Sequence, residues 1–569
     1  MKKIKSLKKL LASSLAIVLS LGLVACNQSG GDSKKTDGTK DQSTDSSESN
    51  TDEIYEVDWY NADGTADDWT DPIALKLTEK TGVKLNTTVP ISQSDESVAL
   101  MIAEQNYPDM LLAKGDTGAL IEAGALIDLA PLIEEHAPNI KKMYGDQLDR
   151  LRFSEDDPAI YELTSAAAGP NTPLDTSGSA LMQFQVLEAN DYKIPEDLAE
   201  FEKMIKDFLA ENPKTPEGED YIGLSISVAD WQWLITLGNP AGFIAEAHQD
   251  NGQWIVDENN KAYYKFLSPK IKEYMRWLNR MYQEGILDPQ FATQTHEDYV
   301  AKIASGRVLA LTDQFWDFQD ATNILEVDKK YSQTYAPLPL NMEKGQKNAT
   351  LLYPGINGYG ISISKTAEDP VKLIKFLDYI ASDEGQVLVQ WGIEGEYWEY
   401  DENGKRVVTE KHKEMAETDP DYGKKTGIGR HNYPFPAQPN TYLDETGNPV
   451  IMSSKEKFIE DYNEAEKAAV KAWGVETIPE IFPQPDEFEI PDYPPLWTLN
   501  LPTDVTAIVN QLDEVAWADL VAMILDSPDN FDANYDAMLK KFEQIGVEEA
   551  GEMVSEILAD KIAAAQAGN

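Results

Sequence analysis

The chain holds 569 residues with 49 basic against 99 acidic side chains, a formal net charge of −50. So acidic a body is a poor partner for nucleic acid or for anionic lipid head groups, which both call for basic surface. A single cysteine excludes a disulfide framework and a thiolate zinc site, and the five histidines (136, 248, 296, 412 and 431) lack HExxH spacing.

In chain order, residues 1–25 read as a targeting leader. Lys2, Lys3, Lys5, Lys8 and Lys9 precede the apolar run "LLASSLAIVLSLGLVA", which has the length of a signal-peptide core. It is short for a spanning helix, which needs about 20 apolar residues; an uncleaved anchor is the alternative. "LVAC", ending at Cys26, resembles the lipobox of bacterial lipoproteins. That resemblance implies a diacylglyceryl group on the Cys26 sulfur and cleavage that leaves Cys26 first. Two acyl chains give stable anchoring where one gives only marginal binding. Cleavage would remove five lysines and no acid, so −50 becomes −55. Residues 27–52 contain no aliphatic or aromatic side chain and predict a flexible tether, residues 26–53 in all with the anchor. A tether suits a protein that captures cargo for a membrane partner; it equally suits a surface enzyme.

The folded body begins at Ile54 with the strand "IYEVDWYNADG". "DPIALKLTEKTGVKL" predicts a helix capped by Asp71, with Pro72 at its first position and Gly82 stopping it. "VKLNTTVPI" is a strand, and "SDESVALMIAEQNYPDMLLAKGD" a helix, a turn and a buried strand. This alternation predicts an α/β lobe with a mainly parallel sheet. The same grammar recurs in "IPEDLAEFEKMIKDFLAEN", "YIGLSIS" and the Ser268-capped helix "SPKIKEYMRWLNRMYQEGILDP", where Trp277 sits at core spacing. It continues through "EDYVAKIASGRVLALTDQFWDF", the strand "GYGISISK" and the helix "DPVKLIKFLDYIASDEGQVLVQWG". Hairpins are predicted at "QWIVDENNKAYYKF", "WEYDENGKRVVT" and "TYLDETGNPVIM". A Pro-rich irregular stretch and a helical run over 504–566 close the chain.

Several chemistries find no motif. "DENG" at 401–404 starts like a calcium loop, but its glycine comes too early and no glutamate closes it, so a hairpin turn is expected there. No cofactor is expected; a structural Ca²⁺ in some other acidic loop stays open. There is no GxxxxGK[ST], no GxSxG, and "GINGYG" at 355–360 precedes a strand instead of opening a helix. With 99 acidic residues, chance pairs make any single carboxylate pair uninformative for glycoside hydrolysis.

What stands out is a set of aromatic and polar residues at strand ends, where open α/β sheets bind ligands. They are Trp59, Asp116, Trp316, Asp317, Tyr353 and Gly355, joined by Trp391 just past a helix. Flat rings pack on the apolar faces of a sugar, and carboxylates bond its hydroxyls. Any one of these aromatics alone is more often core than ligand contact; the set carries the expectation.

"YPDMLLAKGDTGALIEAGALIDLAPLI", "YVAKIASGRVLALTDQFWDF" and "GINGYGISISKTAEDPVKLIKFLDYIASDEGQ" resemble, in this order, segments of the family 1 extracellular solute-binding proteins of sugar ABC importers. "LDPQFATQTHEDYVAKIASGRV" and "WGIEGEYWEYDENGK" look closer to that family's large lipoprotein subgroup. The resemblance implies an α/β, two-lobed periplasmic-binding-protein-like fold of type II, with hinge crossovers and extra C-terminal helices and hairpins. It implies one lobe from 54–168 and 335–390, and the other from 169–334 and 391–569. Asp116 matches the loop aspartate that bonds sugar hydroxyls in the family's maltose-binding member, and Trp316 its stacking loop tryptophan. Ala113 falls where that relative stacks another tryptophan, which puts the same sugar in doubt. The implied protein is a monomeric, lipid-anchored receptor on the outer face of the cell membrane. It would capture an oligosaccharide by hinge closure and pass it to ABC permease subunits without catalysis. A surface glycan hydrolase or lyase, or a receptor for a non-sugar solute, is the alternative.

Overall fold

The computed structural model describes residues 54–567, apart from 91–95, 166–177, 248–251, 351–357, 420, 440–441, 453–454, 490, 492 and 494. The leader, Cys26, the tether, Tyr353 and Gly355 therefore lie outside the described residues.

Two hydrophobic cores organise the body. The first is built on a five-stranded sheet of order β2-β1-β3-β10-β4. Its strands are β1 (Tyr55–Asn61), β2 (Val83–Thr88), β3 (Met110–Leu112), β4 (Leu163–Thr164) and β10 (Gly360–Ile363). β1 pairs in parallel with β2 and β3, while β10 runs antiparallel to β3 and β4. The β1–β2 crossover is the helix Pro72–Thr81. Asp71 caps it by accepting from the backbone N–H groups of Ile73 and Ala74, and Gly82 ends it with φ 68°, a left-handed conformation suited to glycine. Ile73, Ala74 and Leu77 face the sheet, as helical spacing requires.

The second core surrounds the sheet β8-β5-β9, formed by β5 (Gly178–Gln183), β8 (Ala310–Gln314) and β9 (Tyr335–Leu338). β5 is antiparallel to both neighbours. The segment expected as the strand "YIGLSIS" forms only isolated parallel bridges, Ile222 to Val308, Leu224 to Leu287 and Ser225 to Leu311, so the first sheet is mixed and the second, expected mainly parallel, is antiparallel with parallel bridges beside it. The Ser268-capped helix Pro269–Gln283 buries Trp277 in this core, and so do the C-terminal helices Thr503–Leu525, Phe531–Ile545 and Val547–Ala567.

The expected hairpins form as β6 (Trp254–Val256) with β7 (Ala262–Tyr264), and β11 (Trp398–Tyr400) with β12 (Arg406–Val408). At the tip of the second, Asp401 accepts from the backbone of Asn403 and Lys405, the local turn that its sequence predicted. "TYLDETGNPVIM" makes only the bridge Leu443–Pro449.

Three details differ from expectation. The helix over 369–392 is two helices, Pro370–Ala381 and Asp383–Trp391. Ser382 breaks it by capping the second, and a side chain at Gly385 would strike the Tyr379 carbonyl at 2.0 Å. β9 belongs with the second core, whereas residues from 335 were expected in the first. Conversely, Phe435, Ile393 and Ile428 pack on the first core, although everything after 390 was expected in the second. Lobe membership depends on contacts between distant segments, which local sequence pattern does not carry.

Candidate ligand-binding site

At the carboxyl end of β8 the chain turns through Phe315–Asp317. Trp316 there is 54% exposed, an unusual state for so large an apolar ring. Its indole stacks on Trp231 at a centroid distance of 5.8 Å and an interplanar angle of 14°. Trp231 follows the 222–228 segment that runs parallel to β8, so both rings leave strand ends on the same side. Beyond them, Trp517 of the helix Thr503–Leu525 donates its indole N–H to the Val228 carbonyl at 3.0 Å and is 40% exposed.

Asp317, next to Trp316, is buried, with Oδ1 3.5 Å from His296 Nε2. Burial pushes its carboxyl up, and the charge of His296 opposes that shift. His296 Nδ1 is buried without a hydrogen-bond partner, and such an atom is costly unless something satisfies it; the Asp317 carboxyl shares a side-chain hydrogen bond with that of Asp313. Asp313, on β8, is also pushed well up, by burial first and then by the Asp317 charge; it accepts from the Tyr299 hydroxyl at 2.6 Å.

The strand ends of the first sheet are built differently. Asp63 follows β1, Lys114 follows β3, and Tyr359 precedes β10, which puts all three at the same sheet edge. Lys114 Nζ lies 2.6 Å from Asp63 and 5.4 Å from the centre of the Tyr359 ring. The Tyr433 hydroxyl donates to Asp63 at 2.7 Å. Tyr359 meets Trp497 edge-on at 5.0 Å. Burial, then the charges of Asp63, Glu162 and Asp116, push its phenol up to about 12. Asp116 sits here half-buried, at the end of the turn Lys114–Asp116.

The remaining expected residues divide as follows. Trp59 is 3% exposed and lies within β1, packed 6.1 Å from Phe435. Strand alternation turns it to the helix-covered face, so it is core, not a ligand contact. Trp391 ends its helix, 6% exposed, in a cluster with Tyr397 and Trp398. The Arg406 guanidinium lies 5.4 Å from its ring, so it too is core. Trp231 and Trp497 were missed; each follows or joins segments whose placement depends on distant pairing.

Among the described residues, Asp67, Asp71 and His431 bring possible metal-ligand atoms within 4.8 Å of one another. Their chemistry is already used. Asp71 caps a helix with one oxygen and meets His431 Nε2 at 2.7 Å with the other, and Asp67 pairs with Arg430 at 3.2 Å. This cluster staples residues 427–433 onto the first helix.

Two sheets on separate cores, with aromatic and carboxylate groups at their strand ends, define a two-lobed α/β binding protein. The family model "Bacterial extracellular solute-binding protein" matches residues 73–443, and the chain belongs to that family. Lipoprotein LipO of Bacillus subtilis (strain 168) is 21% identical over 343 residues, which cover 57% of this chain and 64% of LipO. The chain thus spans a little under two thirds of that relative. Among solved structures, the alginate-binding protein AlgQ2, determined without calcium ion, is 17% identical and matches 90% of this chain and 99% of its own with a TM-score of 0.62. The S. pneumoniae ABC-transporter substrate binding protein FusA, in complex with kestose, is 15% identical, covers 89% and 99%, and has a TM-score of 0.61. These structures share the two-lobed fold.

Proposed function

We propose that this protein is the saccharide receptor of an ABC importer, tethered outside the cell by lipid on Cys26, and that it binds an oligosaccharide between its lobes without altering it. One observation carries the reading: the exposed Trp316, stacked on Trp231 beside the buried Asp317, at a strand end. A ring supported from behind presents a rigid flat face, which suits the apolar face of a pyranose or furanose and costs little ordering on binding. Asp317 then accepts a sugar hydroxyl. Asp116 and the aromatic edge of Tyr359 and Trp497 serve the same ligand from the first lobe, closure being a hinge motion. AlgQ2 and FusA, which share the fold, support a saccharide ligand by their names, and membership of a binding-protein family supports capture without catalysis.

The test is a thermal-shift screen of the full chain against oligosaccharides, followed by calorimetry, since a ligand of the native state raises stability by mass action. Binding is expected to leave the glycan intact. Release of shortened or unsaturated products would overturn the receptor reading in favour of a hydrolase or lyase.

A further inference from the structure

The C-terminal helix Val547–Ala567 closes a cavity against the first lobe. Arg150, Tyr161, Glu162, Thr164, Tyr359 and Lys561 are among its walls, and its empty volume, part of it open solvent, is about 550 Å³. That is room for one sugar residue and not for a chain. Tyr359 also stands at the first-lobe strand ends, under Lys114 and edge-on to Trp497. The cavity therefore borders the proposed saccharide site.

Its charge runs against that of the body. The chain carries −50, yet this cavity holds two cations, Arg150 and Lys561, against one acid, Glu162. Glu162 is committed, accepting from Thr117 at 2.9 Å and from Asn500 at 2.8 Å. Arg150 also has partners, the Gln147 side chain at 2.9 Å and the Pro491 carbonyl. Lys561 is less well served. An ammonium has three donors, and Lys561 gives one to the Arg152 carbonyl at 3.0 Å. Among the described residues it forms no ion pair. Burial pulls it down to about 8, and the Glu162 charge only opposes that shift. A buried cation is costly when no anion answers it. Independently, the Thr164 hydroxyl is buried in the same wall without a hydrogen-bond partner.

A carboxylate answers both needs, since it accepts several hydrogen bonds and carries the missing charge. The rings of Tyr161 and Tyr359 suit the apolar face of a sugar that bears it. We infer that this cavity is a subsite for one acidic sugar residue of the oligosaccharide, its carboxylate received by Lys561 Nζ; the inference rests on the saccharide-receptor reading above. Lys561 is then a specificity-determining residue for the bound glycan.

The experiment is calorimetry of the full chain at fixed ionic strength. Xylo-, manno- and galacto-oligosaccharides carrying one terminal uronic acid are compared with the same glycans after reduction of that carboxyl to the alcohol. Acetate and inorganic phosphate are titrated as bare anions. Each titration is repeated with Lys561→Met and with Trp316→Ala. The expected result is an acidic glycan bound at least tenfold more tightly than its reduced form. Lys561→Met should remove that preference while leaving the reduced form within twofold, and Trp316→Ala should weaken both forms. Equal affinity for the two forms in the unaltered chain overturns the subsite, whether or not Lys561→Met folds, and leaves the saccharide reading intact. An acid preference that survives Lys561→Met does the same. Acetate or phosphate bound through Lys561, with no preference between the glycans, overturns the acidic sugar in favour of a free anion. Failure of every glycan to bind, or binding indifferent to Trp316, overturns both readings.

Discussion

The strand ends of the two lobes use the same residue types to opposite ends. In the first lobe, Asp63 takes a lysine and a tyrosine hydroxyl, Lys114 also lies over Tyr359, and Asp71 satisfies a helix end and His431. Most polar groups there spend their bonds on one another, Thr164 Oγ1 in β4 being a buried exception. In the second lobe Trp316 stands open, and His296 keeps a buried ring nitrogen without a partner. The contrast separates a region that holds its own loops together from one prepared for a ligand. A satisfied network rigidifies; an unsatisfied one is retained at a cost, and binding can recover that cost.

The sharpest way to break this comparison is to exchange the fates of two tryptophans. Trp59→Ala empties the first core behind β1 and should cost about 3–5 kcal/mol of stability. Urea unfolding would measure it, with ligand affinity per folded molecule little changed. Trp316→Ala should do the reverse. Its ring is more than half exposed, so the melting temperature should hardly move, while affinity falls at least tenfold, about 1.4 kcal/mol. If Trp316→Ala unfolds the protein and spares binding, the assignment of the two regions is inverted.

Sequence pattern reached some of this and not the rest, for a physical reason. Helix starts were legible because caps are local: Asp71, Ser268 and Asp369 each bond backbone within three residues. The exposure of Trp316 was legible because it follows a strand into a polar turn. The burial of Trp59 and Trp391 was not, because both faces of a strand and the end of a helix look alike until a second segment covers them. Phe435, which covers Trp59, is remote in sequence, and Arg406 reaches Trp391 only once the intervening hairpin folds back. Trp231 was hidden for the same reason, since its stacking partner comes from another segment. The return of residues 391–452 to the first core is likewise a matter of distant contacts.

A smaller effect lies where the C-terminal helix meets the first lobe. Lys561 donates to the Arg152 carbonyl at 3.0 Å and lies 5.3 Å from the Phe153 ring centre. Nearby, Glu162 accepts from Thr117 and from Asn500, and Gly118 lets the Leu501 carbonyl approach to where a side chain would begin. Burial pulls the Lys561 ammonium down to about 8, with Glu162 opposing the shift. An unfolded lysine titrates near 10.4, so between roughly pH 8 and 10 the unfolded chain binds more protons than the folded one. Stability should therefore rise with pH in this window, by about 1 kcal/mol after solvent screening. Lys561→Met should flatten that rise when unfolding curves from pH 7 to pH 9.5 are compared between the two chains, since the ionisation of unfolded tyrosines is common to both and cancels in the difference. An unchanged slope would show that the contact between this helix and the first lobe is open to water.

The smallest effect tests the first region itself. Asp63→Asn keeps an acceptor for the Tyr433 hydroxyl but removes the charge opposite Lys114, whose side chain is about a third exposed. Exposed pairs of this kind contribute little, so the loss of stability should be about 0.5 kcal/mol. Its value lies in the second readout. If the pair only holds loops together, affinity for a neutral oligosaccharide should change less than twofold in calorimetry. A large loss of neutral-glycan affinity would mean that Asp63 bonds the ligand as well as the lysine, and that both lobes, not the second alone, keep acceptors for sugar hydroxyls.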